Sequence, residues 1–280
     1  MKKTKMLALL LVMSMGISGC GGKSDSGERQ QALKEQGMEL QIAGNYSEAI
    51  EKYEKALSLA DMEAGAEEID LAYYKASAQY QSGDLTAAID TYSAILALER
   101  SEESYLGRGM LYLAAGETEK AKADLQKALE QTKDLLIKGI IYSVTDETVK
   151  AKECFEKAYE DGDSRGLFYL ANIYEKAGDE EYAMILLEKY INSGTAGAEG
   201  YLSVAKKYFD TGAYEDALDQ VQAGIALGDS GVMKNLLQEE IACYEKLGNF
   251  AGAKEKAENY LELYPDDTMI QREYEFLKSR

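Results

Sequence analysis

The sequence predicts an all-α protein, a right-handed α-α superhelix of about seven helix pairs closed by a C-terminal helix, and three observations carry that expectation. A glycine or turn residue followed five positions later by alanine recurs as GNYSEA from Gly44, GDLTAA from Gly83, GETEKA from Gly116, DETVKA from Asp146, GDEEYA from Gly178, GAYEDA from Gly212 and GNFAGA from Gly248. Apolar stripes flank these turns: Tyr201, Ala205 and Tyr208 precede Gly212, and Ala49, Tyr53, Ala56 and Leu57 follow Gly44. Spacings of three and four put such residues on one helical face. No stretch keeps strand alternation for more than a few residues.

The first helix of each pair ends at the glycine, which can take the left-handed conformation that satisfies loose carbonyls. The alanine five residues on lets two helices cross closely, and these alanines fall at Ala49, Ala88, Ala121, Ala151, Ala183, Ala217 and Ala253, spaced 39, 33, 30, 32, 34 and 36. Four residues before the glycine stand Tyr112, Tyr174, Tyr208 and Tyr244, bulky enough to fill the wedge between helices. Seven before it, Gly37, Gly109, Ala171 and Ala205 are small and leave room for the partner helix. The first spacing is the longest, which places extra residues around Asp61 to Asp70, in a lengthened helix or loop. Acid pairs Glu67–Glu68 and Asp266–Asp267 mark helix starts, where carboxylates suit the macrodipole. A last helix is expected from about Asp266 to Lys278, polar enough on one side to cap the stack.

These residues resemble the helix-turn-helix unit of the tetratricopeptide repeat over positions 28–280, although the chain has no Trp, one Pro at position 265 and no glycine at the Asp146 turn. The stretch KAYEDGDSRGLFYLANIYEKAGD is also similar to the related Sel1-like repeats. The resemblance implies an elongated solenoid in which each unit buries its apolar face against its neighbours. It also implies that protein or peptide partners bind in a groove.

The N-terminus carries a different message. Lys2, Lys3 and Lys5 precede an apolar run, Met6 to Ile17, too short to span a bilayer, which takes roughly 20 helical residues. The pattern is that of a secretory signal over residues 1–19. The stretch ISGC, ending at Cys20, resembles the lipobox of bacterial lipoproteins, which implies thioether lipidation of Cys20 and cleavage before it. Two acyl chains suffice for stable anchoring where one is marginal. Residues 20–27 then read as the lipidated cysteine and a flexible linker, with the repeat domain at 28–280.

Removing residues 1–19 takes away three of the 31 basic residues and none of the 50 acidic ones, so the processed chain has a formal charge of −22. That density repels a nucleic acid, whose phosphates need clustered Lys and Arg. An enzyme is not expected. GDSRG, from Gly162, matches the G-x-S-x-G elbow, and SVAK, from Ser203, matches S-x-x-K, but the chain has no histidine to act as base and neither segment follows a strand. DGDSRG, from Asp161, has an EF-hand flavour, yet Arg165 stands at its fifth position and Asn172 at its twelfth, where a bidentate Glu belongs. No metal or cofactor is expected, and Cys154 and Cys243 read as free thiols, three repeats apart.

Two functions fit this reading: a membrane-anchored, extracytoplasmic protein- or peptide-binding scaffold, or a structural accessory in assembly of an envelope or pilus complex. For the first, helical geometry nominates a groove. Tyr201, Ala205 and Tyr208 face the partner helix, so residues one position on rotate by about 100° toward the neighbouring face. That shift selects Leu202, Lys206 and Phe209 in one repeat and Phe168, Asn172 and Glu175 in the repeat before it, with Arg165 one turn earlier. Aromatic rings would grip side chains of an extended peptide, Asn172 would bond its backbone, and Arg165 and Lys206 would meet a carboxylate.

Overall fold

The seven repeat alanines are all fully buried, at 0 % exposure. The reason is geometric: a methyl group is the largest side chain that lets two helix backbones cross at close range. The architecture built on them was obtained as a computed structural model that describes residues 25–60 and 65–280. Cys20, the expected signal segment and the first residues of the expected linker lie outside the described residues.

The described residues form fifteen α-helices and no strand. Contacts group them into two compact units divided between Thr132 and Lys133. The first unit holds three helix pairs: α1 (Asp25–Ile42) with α2 (Tyr46–Leu57), α3 (Ala66–Gln81) with α4 (Leu85–Leu98), and α5 (Glu102–Ala114) with α6 (Thr118–Gln131). Helix α1 thus begins three residues ahead of the expected domain start at 28.

The second unit holds four pairs and a closing helix. These are α7 (Leu135–Val144) with α8 (Thr148–Glu160), α9 (Arg165–Lys176) with α10 (Glu180–Asn192), α11 (Ala198–Thr211) with α12 (Tyr214–Ala226), α13 (Ser230–Lys246) with α14 (Phe250–Leu263), and α15 (Thr268–Leu277). The shortest repeat spacing contains α7, which at 10 residues is shorter than any other paired helix. Within each unit every helix packs on the next, and first helices also touch one another, α7 on α9 and α11 on α13. Among the described residues no helix is long and apolar enough to cross a membrane.

Local chemistry explains these boundaries. Gly212 closes α11 in the left-handed conformation, φ +84°, and the next amide, of Ala213, returns to Tyr208 O at 2.9 Å. Asp84, Asp134, Asp179 and Asn249 cap the helices that follow them by accepting backbone N–H bonds. Glu67 and Glu68 do occupy the first turn of α3, where the Gly65 amide donates to Glu68 Oε2 at 2.7 Å. Asp267 caps α15, accepting from Met269 and Ile270.

The turn without glycine adopts the same geometry at a cost. Asp146 sits at φ +63°, while the six repeat-turn glycines lie between +72° and +89°. An L-residue in that region loses roughly 1–2 kcal/mol, eased for Asp by its short polar side chain. Asp146 is exposed and its neighbour Glu147 makes the turn bond, N–H to Tyr142 O at 2.8 Å, which a glycine would keep. Asp146→Gly is therefore expected to stabilise the second unit by about 0.5–1 kcal/mol. A urea melt with a lower midpoint in the variant would contradict this account.

The small residues at the crossings are there for contact. A Cβ on Gly37 would stand 2.5 Å from the Tyr53 ring, and one on Gly139 2.3 Å from the Phe155 ring. The four wedge tyrosines are half-buried, with cations over three of them: Lys120 on Tyr112 at 5.2 Å, Lys152 on Tyr174 at 3.8 Å and Lys256 on Tyr244 at 5.9 Å. Cys243 is buried and Cys154 half-buried, both as free thiols, and burial pushes the Cys243 thiol up to about 12.

Candidate peptide-binding surface

Helix α9 carries Arg165, Phe168 and Asn172 at spacings of three and four, so they share one face, and α11 carries Lys206 and Phe209 in the same relation. The structure gives these five residues different surroundings. Phe168 is 5 % exposed, with its ring 5.5 Å from Tyr169 and 5.8 Å from Tyr190, so it belongs to the core rather than to a surface that grips a ligand. The reason is the stack: α9 packs on α8, α10 and α7, and three neighbours bury a wider arc than the single stripe facing the partner helix. Leu202, at the equivalent rotation on α11, is likewise buried.

Arg165 starts α9, and its Nε and Nη2 reach the two carboxylate oxygens of Asp163 at 2.9 and 2.7 Å. Burial works to raise the Asp163 carboxyl, but the bonds from Arg165 outweigh it and hold it below its usual value. The same pair answers the EF-hand resemblance, because the carboxylate that would face a cation is already committed to a guanidinium. Around it, a shallow polar depression of about 470 Å³ is lined by residues 161–165 and Thr195. Two of its lining residues, Ser164 and Thr195, belong to a hydroxyl cluster in which Ser193 Oγ lies 3.1 Å from Ser164 Oγ and 3.0 Å from Thr195 Oγ1.

The remaining candidates stay at the surface. Asn172 is half-buried, Lys206 exposed, and Phe209 half-buried with its ring edge-on to Tyr214 at 5.2 Å. Between the two helices lies a residue that periodicity did not select: Lys207, whose Nζ meets Glu175 Oε1 at 2.8 Å and ties α11 to α9. On the next first helix, burial raises the Glu239 carboxyl while Lys206 pulls the other way, which puts the Lys206 charge close to α13. The surface cations of this face thus stand among carboxylates on adjacent repeats.

A second carboxyl here was not selected from the sequence either. Glu199, in the first turn of α11, is pushed up to about 7 by burial, with the Asp229 charge adding to the effect. Its field also bears on Tyr169, whose hydroxyl is driven far above its ordinary value chiefly by burial. The spacing of Glu199 from the repeat alanine carries no special mark, so the signal lies in three-dimensional crowding alone.

The motifs weighed against catalysis have structural partners. Ser203 Oγ donates to Glu199 O, 2.9 Å away within its own helix, and Ser164 lies at the helix-to-helix turn ahead of α9. Among the described residues no group of three or more His, Cys, Asp and Glu side chains could hold a metal ion.

Comparison with known proteins places these features in context. Models of the tetratricopeptide repeat match residues 34–105, 102–134, 165–193 and 242–267. Among solved structures, a tetratricopeptide repeat protein from Parabacteroides merdae ATCC 43184 is 18 % identical, over 90 % of this chain and all of that one, with a TM-score of 0.48. A chain of the APC/C hetero-tetramer Cut9–Hcn1 is 13 % identical over 89 % of this chain, with a TM-score of 0.50, and this chain spans 48 % of the length of that one. The TPR2AB domain of yeast Sti1, in a complex with pHSP90, is 21 % identical over 90 % of this chain and 97 % of that one, with a TM-score of 0.36. No curated protein matches the sequence. At 13 % identity the likeness to the Cut9 complex speaks for the fold alone.

Proposed function

Because the chain belongs to the tetratricopeptide-repeat family, we propose that it is a scaffold for a protein or peptide partner, held at an extracytoplasmic membrane surface by a lipid on Cys20. The observation that carries the scaffold reading is how the repeats divide their residues. Alanines and small residues are consumed by helix crossings, while Asn172, Lys206 and Phe209 remain on the α9–α11 face without a structural task of that kind. Such a face can offer an amide to a peptide backbone, a cation to a carboxylate and a ring edge to a side chain. The formal charge of −22 on the processed chain favours partners that present a basic surface, through faster encounter and rejection of acidic competitors. The membrane half of the proposal rests on the basic start, the short apolar run and the ISGC stretch ending at Cys20.

One experiment separates the two halves. Wild type, Cys20→Ala and Asn172→Ala/Lys206→Glu are labelled with a fatty acid in cells, crosslinked and recovered in mild detergent. Wild type is expected to carry label and to recover a discrete partner from the membrane fraction. Cys20→Ala should lose label and membrane association yet keep the partner. The double variant should keep label and helical circular dichroism but recover less partner, because Lys206 is exposed and Asn172 lies outside the buried core. Equal labelling of Cys20→Ala would remove the anchor from the proposal. Undiminished capture by the double variant would move the site off the α9–α11 face.

A further inference from the structure

Among the described residues every helix but one sends at least one apolar side chain into the buried core. The exception is α1. Its buried residues are Gln30, Gly37 and Gln41, while Leu33, Met38 and Leu40 are only half-buried against the cluster of Ala49, Tyr53, Ala56, Leu71 and Ala78. Apolar burial is the main force that fastens a helix to its neighbours.

A row of polar contacts takes its place. Gln30, Lys34 and Gln41 stand at spacings of four and seven, which puts them on one helical face. Gln30 Nε2 donates to Ala56 O at 3.2 Å and to Glu68 Oε1 at 3.0 Å. Lys34 pairs with Asp70 and lies 4.8 Å over the Tyr74 ring. Gln41 Nε2 donates to Ser77 Oγ at 3.0 Å and to Gln81 Oε1 at 2.7 Å, while its Oε1 accepts from the Tyr53 hydroxyl at 2.9 Å. The row thus clips α1 to α3 as well as to α2. Each such bond adds little net stability, because water offers equivalent partners once the two sides part.

The helices beneath hold together on their own. Ala49, Tyr53 and Ala56 of α2 pack with Leu71 and Ala78 of α3, and Lys75 Nζ on α3 bonds to Glu54 Oε1 on α2 at 2.8 Å. Helix α1 has less to fall back on: Gly27 and Gly37 are poor helix formers, and a lone helix of 18 residues is marginal in water. Off its seat, α1 therefore loses its own backbone bonds as well.

We propose that α1 is a strap, which lifts as one piece from α2 and α3 while the remainder of the first unit stays folded, and so uncovers the Tyr53 side of α2. Gln30 and Gln41 are its two clips. Where Cys20 carries a lipid, lifting adds the 18 residues of α1 to the tether ahead of the repeats. That consequence rests on the anchor proposed above, whereas the strap itself does not.

Hydrogen exchange of the full chain in low concentrations of urea, corrected for intrinsic rates, tests the strap. Residues 30–41 should exchange at least about tenfold faster than the best-protected amides of α2 and α3, evenly along the segment, and with a shallower urea dependence than α3. Gln41→Ala should speed exchange of that segment by roughly tenfold and leave α5 and α6 unchanged. Lys34→Met, a milder change at the surface, should act in the same direction. A gradient from fast exchange at residue 30 to full protection at residue 41 would mean ordinary fraying of a helix end and would overturn the proposal. So would protection of residues 30–41 equal to that of α3, or variants that leave α1 unchanged or weaken α5 and α6 as much.

Discussion

Replacing Arg108 by Met is expected to destabilise the first unit by about 3–5 kcal/mol. Arg108, on α5, reaches across to α6 and holds Asp124 with two bonds, Nε to Oδ2 at 2.6 Å and Nη2 to Oδ1 at 3.0 Å. Its third nitrogen donates to Ser93 Oγ at 3.0 Å, and its guanidinium lies over the Tyr112 ring at 5.7 Å. Asp124 is 3 % exposed, so loss of the arginine strands a carboxylate next to Leu125 and Ala128 in the α5–α6 interface. Lys127, 4.0 Å away, is a poor substitute because it approaches from the exposed side. The cost therefore reports the stranded charge more than the worth of the pair. Arg108→Met/Asp124→Leu, which removes both charges, should recover most of the loss. Urea unfolding of the two single variants and the double variant forms the cycle. A double variant no more stable than Arg108→Met alone would show that the pair's value lies in packing instead.

The Arg108–Asp124 bond also marks where the sequence stops being readable. The seven alanines, the turn geometry and the closing helix follow from local rules, because small residues at fixed offsets are forced by backbones that cross at fixed distances. Asp146 shows the strength of that rule: the chain adopts the glycine conformation there without glycine. The buried polar contacts follow no such period. Gln41 bonds Ser77 and Gln81 at 3.0 and 2.7 Å and accepts from Tyr53 at 2.9 Å, a network that joins three helices and gives each participant an ordinary polar position in its own stripe.

The candidate surface was legible to the same depth. A one-residue rotation from the partner-facing stripe selects Asn172 and Lys206, yet it gives the direction of a side chain and not the width of the arc its neighbours cover. Phe168 was counted as lining for that reason, although α9 is enclosed on three sides. Glu175 falls on the selected face, but its partner Lys207 was passed over because a bond between consecutive first helices has no signature within either helix. Glu199 belongs to this class too, since it is raised first by burial and then by the charge of Asp229, thirty residues away.

Gly166→Ala sets helix propensity against packing, and packing is expected to win. Gly166 lies in the first turn of α9, where an exposed helix would gain about 1 kcal/mol from alanine. A Cβ there would stand 2.4 Å from Phe155 O and 3.1 Å from Tyr159 N, both backbone atoms of α8. The nature of those atoms decides the sign. At Gly37 the added methyl meets the ring of a single side chain, whereas at Gly166 it meets backbone, so the whole of α8 must retreat. Retreat would open the contact of Phe155 with Tyr169, whose rings now stack 4.9 Å apart, and the burial of Leu167 beside them. Overpacking of this kind costs about 1–3 kcal/mol or more, so the net result is a loss even after the propensity gain. Denaturant melts followed by circular dichroism should show a lower midpoint for Gly166→Ala, with helix content of the native baseline unchanged. A midpoint equal to or above wild type would mean that α8 and α9 cross with slack to spare, and the close approach attributed to Gly166 would have to be abandoned.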